Sequence, residues 1–270
     1  MRRSSNPVFT HLTPQTQPGT NSYGQSGWYQ PGTVTTSGPV VVDRTDRMTV
    51  EDVVIKTVAL LAVLGITGAA AWTLLPEKYT GIAMIGSLVI ALVIGLIIGF
   101  KRVTSPPLII AYAVFEGVAI GLISKFYEER FGGIVLQAAI ATFAIFGVMA
   151  LLYTSRAIRA TPRLRKMIVG ALIGAVVVML VNWVLSFFGI YTGLRGDANG
   201  NGGMLAIGFS IVMIIIGAMT FVLDFDEVER GVAQGLPTRA SWYCAFGILL
   251  GLVWVYLEVL RLLSYLRGRD

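Results

Sequence analysis

Four acidic side chains stand out in this chain, because each falls within or at the end of a long apolar segment. They are Glu116, Asp224, Asp226 and Glu258. An ionised carboxylate in hydrocarbon costs about 2.5–3.5 kcal/mol by insertion scales. Neutralising a glutamic acid at pH 7 costs about 3.7 kcal/mol, from an ordinary pKa of about 4.3 at about 1.36 kcal/mol per unit. Because these costs are nearly equal, small changes in surroundings or pH decide the charge, which predicts a proton-sensitive membrane protein.

The composition is that of a protein embedded in a bilayer. Of 270 residues, 55% are hydrophobic and 13% are charged, whereas soluble domains are about 25% charged. The one cysteine, Cys244, excludes an intrachain disulfide, and the one histidine, His11, lies in a polar segment. A membrane-embedded histidine metal site and a Ser-His-Asp triad are therefore excluded. The sequence predicts no enzymatic activity and no cofactor.

Seven apolar runs are long enough to cross a bilayer as helices, at about 1.5 Å of rise per residue. They cover residues 53–75, 81–100, 107–124, 132–153, 167–189, 204–223 and 242–266. The seventh run could instead re-enter the membrane, bent near Gly247 or Gly251. A full span is favoured, because residues 242–260 carry one charged side chain. The sequence thus predicts an all-α transmembrane domain of seven helices over residues 49–270.

The first 48 residues have a different composition, rich in Gly, Pro, Ser, Thr and Gln. Such a segment cannot bury enough apolar surface to offset chain entropy, so residues 1–48 are predicted to be a disordered tail. It is interpreted either as a regulatory or partner-binding segment or as a solvated leader.

The basic residues set the predicted orientation, because cytoplasmic loops carry an excess of Lys and Arg. With the N terminus in the cytoplasm, the inner segments hold Arg44, Arg47, Lys101, Arg102, Arg156, Arg159, Arg163, Arg165, Lys166, Arg230 and Arg239, and the outer loops hold Lys78, Lys125, Arg130 and Arg195. The net charge of +6 is spread over these short loops. It is explained by topology and contact with anionic lipid, and no nucleic-acid partner is predicted.

Glu116 lies near the middle of the third apolar run. An acid at this depth should face the bundle interior and find a partner. The candidate partners are Tyr112, Asn182 and Ser210. Two interpretations stay open: a residue of an ion or proton path, and a neutral acid that is hydrogen-bonded for helix packing.

Acidic residues cluster at the end of the sixth run, where Asp224, Asp226, Glu227 and Glu229 follow closely. Several carboxylate oxygens can attract Ca²⁺, and clustered carboxylates influence one another's ionisation. A solvated helix end is the alternative. Asp226 and Arg230, at i and i+4, can form an ion pair. The i, i+2 spacing of Asp224 and Asp226 points them to different helix faces, which argues against a protease dyad.

Glu258 lies in the seventh run, toward the membrane face opposite Asp224. Arg261, three residues later, shares its helix face, and we predict a supporting ion pair between them. Two Gly-x-x-x-Gly pairs, Gly117 with Gly121 and Gly170 with Gly174, predict close helix packing in the third and fifth runs.

Several segments of the chain resemble a known family. The run FVLDFDEVERG and the later WYCAFGILLGLVWVYLEVLRLL resemble the end of the Bax inhibitor-1 family, closest to its bacterial branch. The third run, AYAVFEGVAIGLIS, resembles that family's third helix, and the likeness covers about residues 49–266. It implies a bundle with a central helix surrounded by the others, in a bacterial cell membrane. It also implies a pH-dependent calcium leak.

In better understood members of that family, an acid ending the sixth helix shares a proton with an acid in the seventh and latches the pore. Asp224 matches the first acid by its place after FVL. The second acid has no clean match, because residues 242–257 hold no acid and Glu258 lies one to two turns too far along. Either Asp226 substitutes, or Glu258 performs a related task elsewhere, or closure is not acid-operated here.

The sequence therefore predicts a pH-sensitive calcium leak channel. Glu116 would line the path, and Asp224, Asp226 and Glu258 would serve in gating or pH sensing. Calcium would be the permeant ion rather than a cofactor. The alternative is a non-conducting membrane scaffold or partner regulator, acting through the tail and the arginine-rich loop 154–166.

Overall fold

The structure, a computed structural model, describes residues 47–190, 192–196 and 202–268. Within these ranges the chain forms seven α-helices. They are α1 (Val50–Leu74), α2 (Glu77–Lys101), α3 (Pro106–Arg130), α4 (Ile134–Thr154), α5 (Pro162–Phe187), α6 (Met204–Ala233) and α7 (Ala240–Arg267). Each helix is long and apolar enough to cross a membrane. The predicted all-α fold is confirmed, and α7 is continuous rather than bent.

Three helices extend by five or more residues beyond the predicted apolar runs. Helix α3 continues past residue 124 to Arg130, α5 begins at Pro162 before residue 167, and α6 continues past residue 223 to Ala233. Apolar runs mark the part of a helix suited to hydrocarbon. The helix itself continues through Glu, Lys and Arg, because these residues have good helix propensity. The acidic cluster of the sixth run consequently lies inside α6 and not at its end.

Helices α3 and α7 form the interior of the bundle. Helix α3 packs against α1, α2, α4 and α7, whereas α7 packs against α1, α3, α4 and α6. Helix α5 packs mainly on α6 and is the least buried of the seven. This arrangement encloses α7, and an ionisable group on α7 or on the facing side of α6 is therefore held inside protein.

Helices α1 and α3 approach one another at glycines. A Cβ atom added at Gly121 would lie 2.5 Å from the Cα atom of Gly68, so only glycine fits there. The close packing predicted for Gly117 and Gly121 is confirmed. For Gly170 and Gly174 it is wrong, because no described atom lies within 4 Å of a Cβ at either position.

The residues just before α1 are fixed to the loop between α6 and α7. Arg47 forms an antiparallel bridge with Pro237, and the Met48 amide donates to the Leu236 carbonyl at 2.8 Å. Met48 is 2% exposed. The predicted tail thus ends in two ordered residues, and its residues 1–46 lie outside the described ranges. We call the end of the bundle that carries this contact the inner end and the opposite end the outer end.

Candidate functional site

A cavity of about 170 Å³ lies between α2, α6 and α7. Its lining consists of Gly99, Asp224, Glu227, Tyr243, Cys244, Phe246, Gly247 and Leu250. A water molecule occupies about 30 Å³ of liquid, so the cavity has room for a few waters or a partly hydrated cation. Asp224 and Glu227 contribute two carboxylates to its wall, and we therefore take this cavity as the candidate site.

The carboxylate of Asp224 fits against two glycines of α7. A Cβ at Gly247 would lie 3.3 Å from Oδ1, and a Cβ at Gly251 would lie 3.5 Å from Oδ2. Among the described residues, no cation or hydrogen-bond donor pairs with this carboxylate, and the charged group acting on it is Glu227, one turn along α6. Asp224 is therefore a partly buried acid with a like charge nearby and no counter-ion.

Asp226 has a different environment on the other side of α6. Its Oδ2 accepts a hydrogen bond from Arg165 at 3.1 Å and forms an ion pair with Arg230 Nε at 2.9 Å. The second contact is the i, i+4 pair expected from the sequence, and the first ties α5 to α6. Two arginines therefore neutralise Asp226, whereas no arginine of the described ranges pairs with Asp224.

We expect Asp226→Asn to reduce stability only slightly. Both arginine partners are about half exposed, at 44% and 51%, and exposed ion pairs contribute roughly 0–1 kcal/mol. Thermal unfolding in detergent measures the loss, with Arg159→Gln as the control because Arg159 is an exposed arginine of the same end. A loss above about 3 kcal/mol would be the signature of a buried pair and would contradict this assignment.

Glu258 is buried near the outer end, at 4% exposed. Its Oε1 accepts from Arg195 at 3.0 Å and from Arg261 at 2.9 Å. Its Oε2 is buried without a hydrogen-bond partner in the described part of the chain. The predicted pair with Arg261 is present. Arg195 was not predicted, because it lies in the loop between α5 and α6 and no local spacing links it to α7.

The structure does not bring Glu258 to Asp224. Asp224 faces Gly251, and Glu258 follows Gly251 by seven residues, about 10 Å at 1.5 Å per residue. The side chains of Phe221 and Val255, both 0% exposed, fill the interval. We call this contact surface between α6 and α7 the α6–α7 seam. Its two acids thus lie toward opposite ends, and a shared proton between them is not formed here.

Glu116 lies inside the bundle but outside the cavity lining. It is 8% exposed, and Tyr112 lies one turn earlier on α3, with its hydroxyl near enough to act on the Glu116 carboxyl. The Tyr112 ring packs edge-on against Phe246, a cavity residue, with ring centroids 4.9 Å apart. Of the other candidate partners, Asn182 accepts from Thr192 instead. The place of Glu116 in an ion path stays a prediction.

A family comparison covers the whole seven-helix bundle. The family model described as Bax inhibitor 1 like matches residues 6–268. The chain belongs to this family. The match runs through all seven helices of this Bax inhibitor 1 like protein and through most of the segment before them. No curated protein matches the sequence.

This Bax inhibitor 1 like protein departs from the two-acid latch at the seventh helix. Where the resemblance implies a second acid, Asp224 meets Gly247 and Gly251. Both glycines were noted in the sequence only as possible bends, although their i, i+4 spacing is the same small-residue pattern as in α3. That spacing could have indicated the groove, but which side chain fills it depends on tertiary packing.

The cavity suits transient binding of a cation. Calcium takes six to eight oxygen ligands in a tight site, whereas two carboxylates line this cavity. In the described residues, no group of three or more His, Cys, Asp or Glu side chains is placed to hold a metal. The arrangement can attract a cation electrostatically and release it readily.

Proposed function

We propose that this protein passes cations, calcium foremost, along the α6–α7 seam, and that the ionisation of Asp224 controls the passage. One observation carries the proposal: in the described part of the chain, a carboxylate without a counter-ion lies in the wall of a cavity inside a bundle of helices long enough to span a membrane. Intramembrane acids are rare and commonly mark ion or proton pathways.

The cation preference is supported by the carboxylates at the cavity. Asp224 and Glu227 both line it, and carboxylate oxygens are ligands that Ca²⁺ accepts. Conduction needs binding that is favourable enough for entry and weak enough for exit. Two acidic side chains with room for water meet both needs better than a closed cage of ligands would.

The pH control is supported by the packing of Asp224. A charged carboxylate needs solvation or a partner that its neutral form does not need, so the two forms should pack differently in the glycine groove. The other titratable groups around the cavity are Glu227, Tyr243 and Cys244. Proton uptake by Asp224 removes one of two like charges from the wall and changes how closely α6 and α7 can approach.

We further propose that the inner end faces the cytoplasm of a bacterial cell. Arg156, Arg159, Arg163 and Lys166 are exposed near the junction of α4 and α5. Basic side chains at a membrane surface attract anionic lipid headgroups, at about 1 kcal/mol each. These residues therefore favour the cytoplasmic leaflet, with the lipid bilayer itself as the partner of this surface.

Reconstitution tests the function directly. The purified full chain in liposomes that contain a calcium dye should raise calcium entry several-fold above protein-free liposomes, and the rate should change between pH 6 and pH 8. Because each inserted molecule would provide its own path, the flux should scale with the amount of inserted protein. Tight liposomes at every pH would contradict conduction and favour the non-conducting scaffold or regulator.

A further inference from the structure

We propose that Arg195 closes the outer end of the α6–α7 seam to cations, by fastening its own segment, residues 192–196, onto Glu258. The inference rests on the proposed function, because it assigns a second closure to the same passage. Asp224 would control the inner end, and Arg195 would control the outer end.

The contact joins a loop to the central helix. Arg195 Nη2 donates to Glu258 Oε1 at 3.0 Å and lies 3.3 Å from the Met179 sulfur of α5. The Arg195 side chain is 26% exposed and that of Glu258 is 6% exposed. A loop cation is thus drawn into the bundle, where a charge-assisted hydrogen bond is stronger than in water.

A second contact with α7 lies two turns further along, at Gly202 just before α6. A Cβ at Gly202 would lie 2.5 Å from Tyr265 Cγ, and Tyr265 is 2% exposed. Arg195 and Gly202 therefore touch α7, at Glu258 and at Tyr265 respectively. Release of Arg195 from Glu258 would uncover the seam where Glu258 lies.

The charge of the cluster opposes cation entry. Two guanidinium groups, Arg195 and Arg261, share one oxygen of one carboxylate, so the cluster is positive overall. The other oxygen, Oε2, has no hydrogen-bond partner among the described residues. Loss of Arg195 would leave a neutral pair whose second oxygen is free to contact an arriving cation.

The outer closure should not respond to pH between 6 and 8. The charged or titratable groups acting on Arg195 are Glu258, Arg261 and Tyr265. Burial, and next the charge of Arg261, lower the pKa of Arg195, but an arginine stays protonated in proteins. A change at the outer end should therefore alter the rate of calcium flux without altering its pH dependence, whereas a change at Asp224 should alter the pH dependence.

Calcium flux in liposomes tests the closure with a matched pair of variants. Arg195→Gln should raise the rate of calcium flux about tenfold over the wild type, and this factor should be the same at pH 6 and at pH 8. Arg195→Lys should retain part of the closure. Arg261→Gln removes the same charge from the same oxygen but leaves Arg195 on Glu258. It should therefore show only the part of the increase that comes from charge, and this part should be smaller. Equal rates for Arg195→Gln and Arg261→Gln, or no increase in either, would overturn the inference.

Hydrogen exchange of residues 192–196 supplies a readout independent of conduction. Arg195→Gln should speed exchange of this segment, whereas Arg261→Gln should leave it protected. Faster exchange with unchanged calcium flux would show a merely structural contact and would overturn the closure. If the wild type and every variant are tight to calcium, the proposed function fails. If the wild type conducts and Arg195→Gln conducts equally, this inference alone fails.

Discussion

Asp224→Asn is expected to abolish the pH dependence of calcium flux and to hold the rate at the value that the wild type shows in acid. Asparagine has the shape of a neutral aspartic acid and carries no charge at any pH. The groove at Gly247 and Gly251 accepts a side chain of this size. The variant should therefore mimic the protonated seam throughout the range from pH 6 to pH 8.

The expected change in pH dependence is large because a single titrating group, Asp224, is proposed to control the flux. Titration of one group changes the ratio of its two forms by about tenfold per pH unit, so the wild-type flux can change strongly over this range. The ratio of rates at pH 8 and pH 6 should fall to about one in the variant. Flux measurements in the same liposomes, normalised to inserted protein, give this ratio directly.

Asp226→Asn is the matched comparison, since it also removes one negative charge from α6. Asp226 lies two residues from Asp224 but is bound by Arg165 and Arg230, and its charge is already balanced. We expect Asp226→Asn to retain the pH dependence. A pH profile that survives Asp224→Asn, or that both variants lose equally, would remove Asp224 from its role.

Gly121→Leu is expected to prevent folding of most of the protein. A Cβ at this position would lie 2.5 Å from the Gly68 Cα atom and would also meet the Gly68 carbonyl. Backbone atoms cannot rotate away as a flexible side chain can, so α1 and α3 must separate. Overpacking typically costs about 1–3 kcal/mol and occasionally more, and a clash with a neighbouring backbone belongs at the upper end.

Gly174→Leu provides the control for this prediction. It makes the same change in the same Gly-x-x-x-Gly pattern, but no described atom lies within 4 Å of its Cβ position. Because leucine favours a helix over glycine by roughly 0.8 kcal/mol, this variant should fold normally. The yield of monodisperse protein and its thermal unfolding compare the two. Equal behaviour would contradict the close contact of α1 with α3.

The parts of the structure that the sequence could predict are those with local causes. Seven apolar runs specify seven helices, because each helix satisfies its own backbone hydrogen bonds in a membrane. The pairs Asp226–Arg230 and Glu258–Arg261 follow from helical spacing alone. A short run of residues contains all the information that each of these features needs.

The site depends on contacts between segments far apart in the chain. Arg195 and Glu258 are brought together by the path of a loop, and Asp224 meets Gly247 by the register of α6 against α7. The spacing of Gly247 and Gly251 indicates a groove, but it does not show which side chain fills it, and no spacing links Arg195 to Glu258. Gly117 and Gly170 show the same limit, because identical motifs lie at a tight interface in α3 and at an open surface in α5.

The anchoring of Met48 has a mechanical consequence for the segment that precedes it. A pull on the chain at Arg47, from a bound partner or a chemical modification, would be transmitted through Arg47 and Met48 to the loop that connects α6 to α7. That loop joins the two helices which bear Asp224 and Glu258. A force on the chain at Arg47 would therefore act on the pair of helices that carry the ionisable groups.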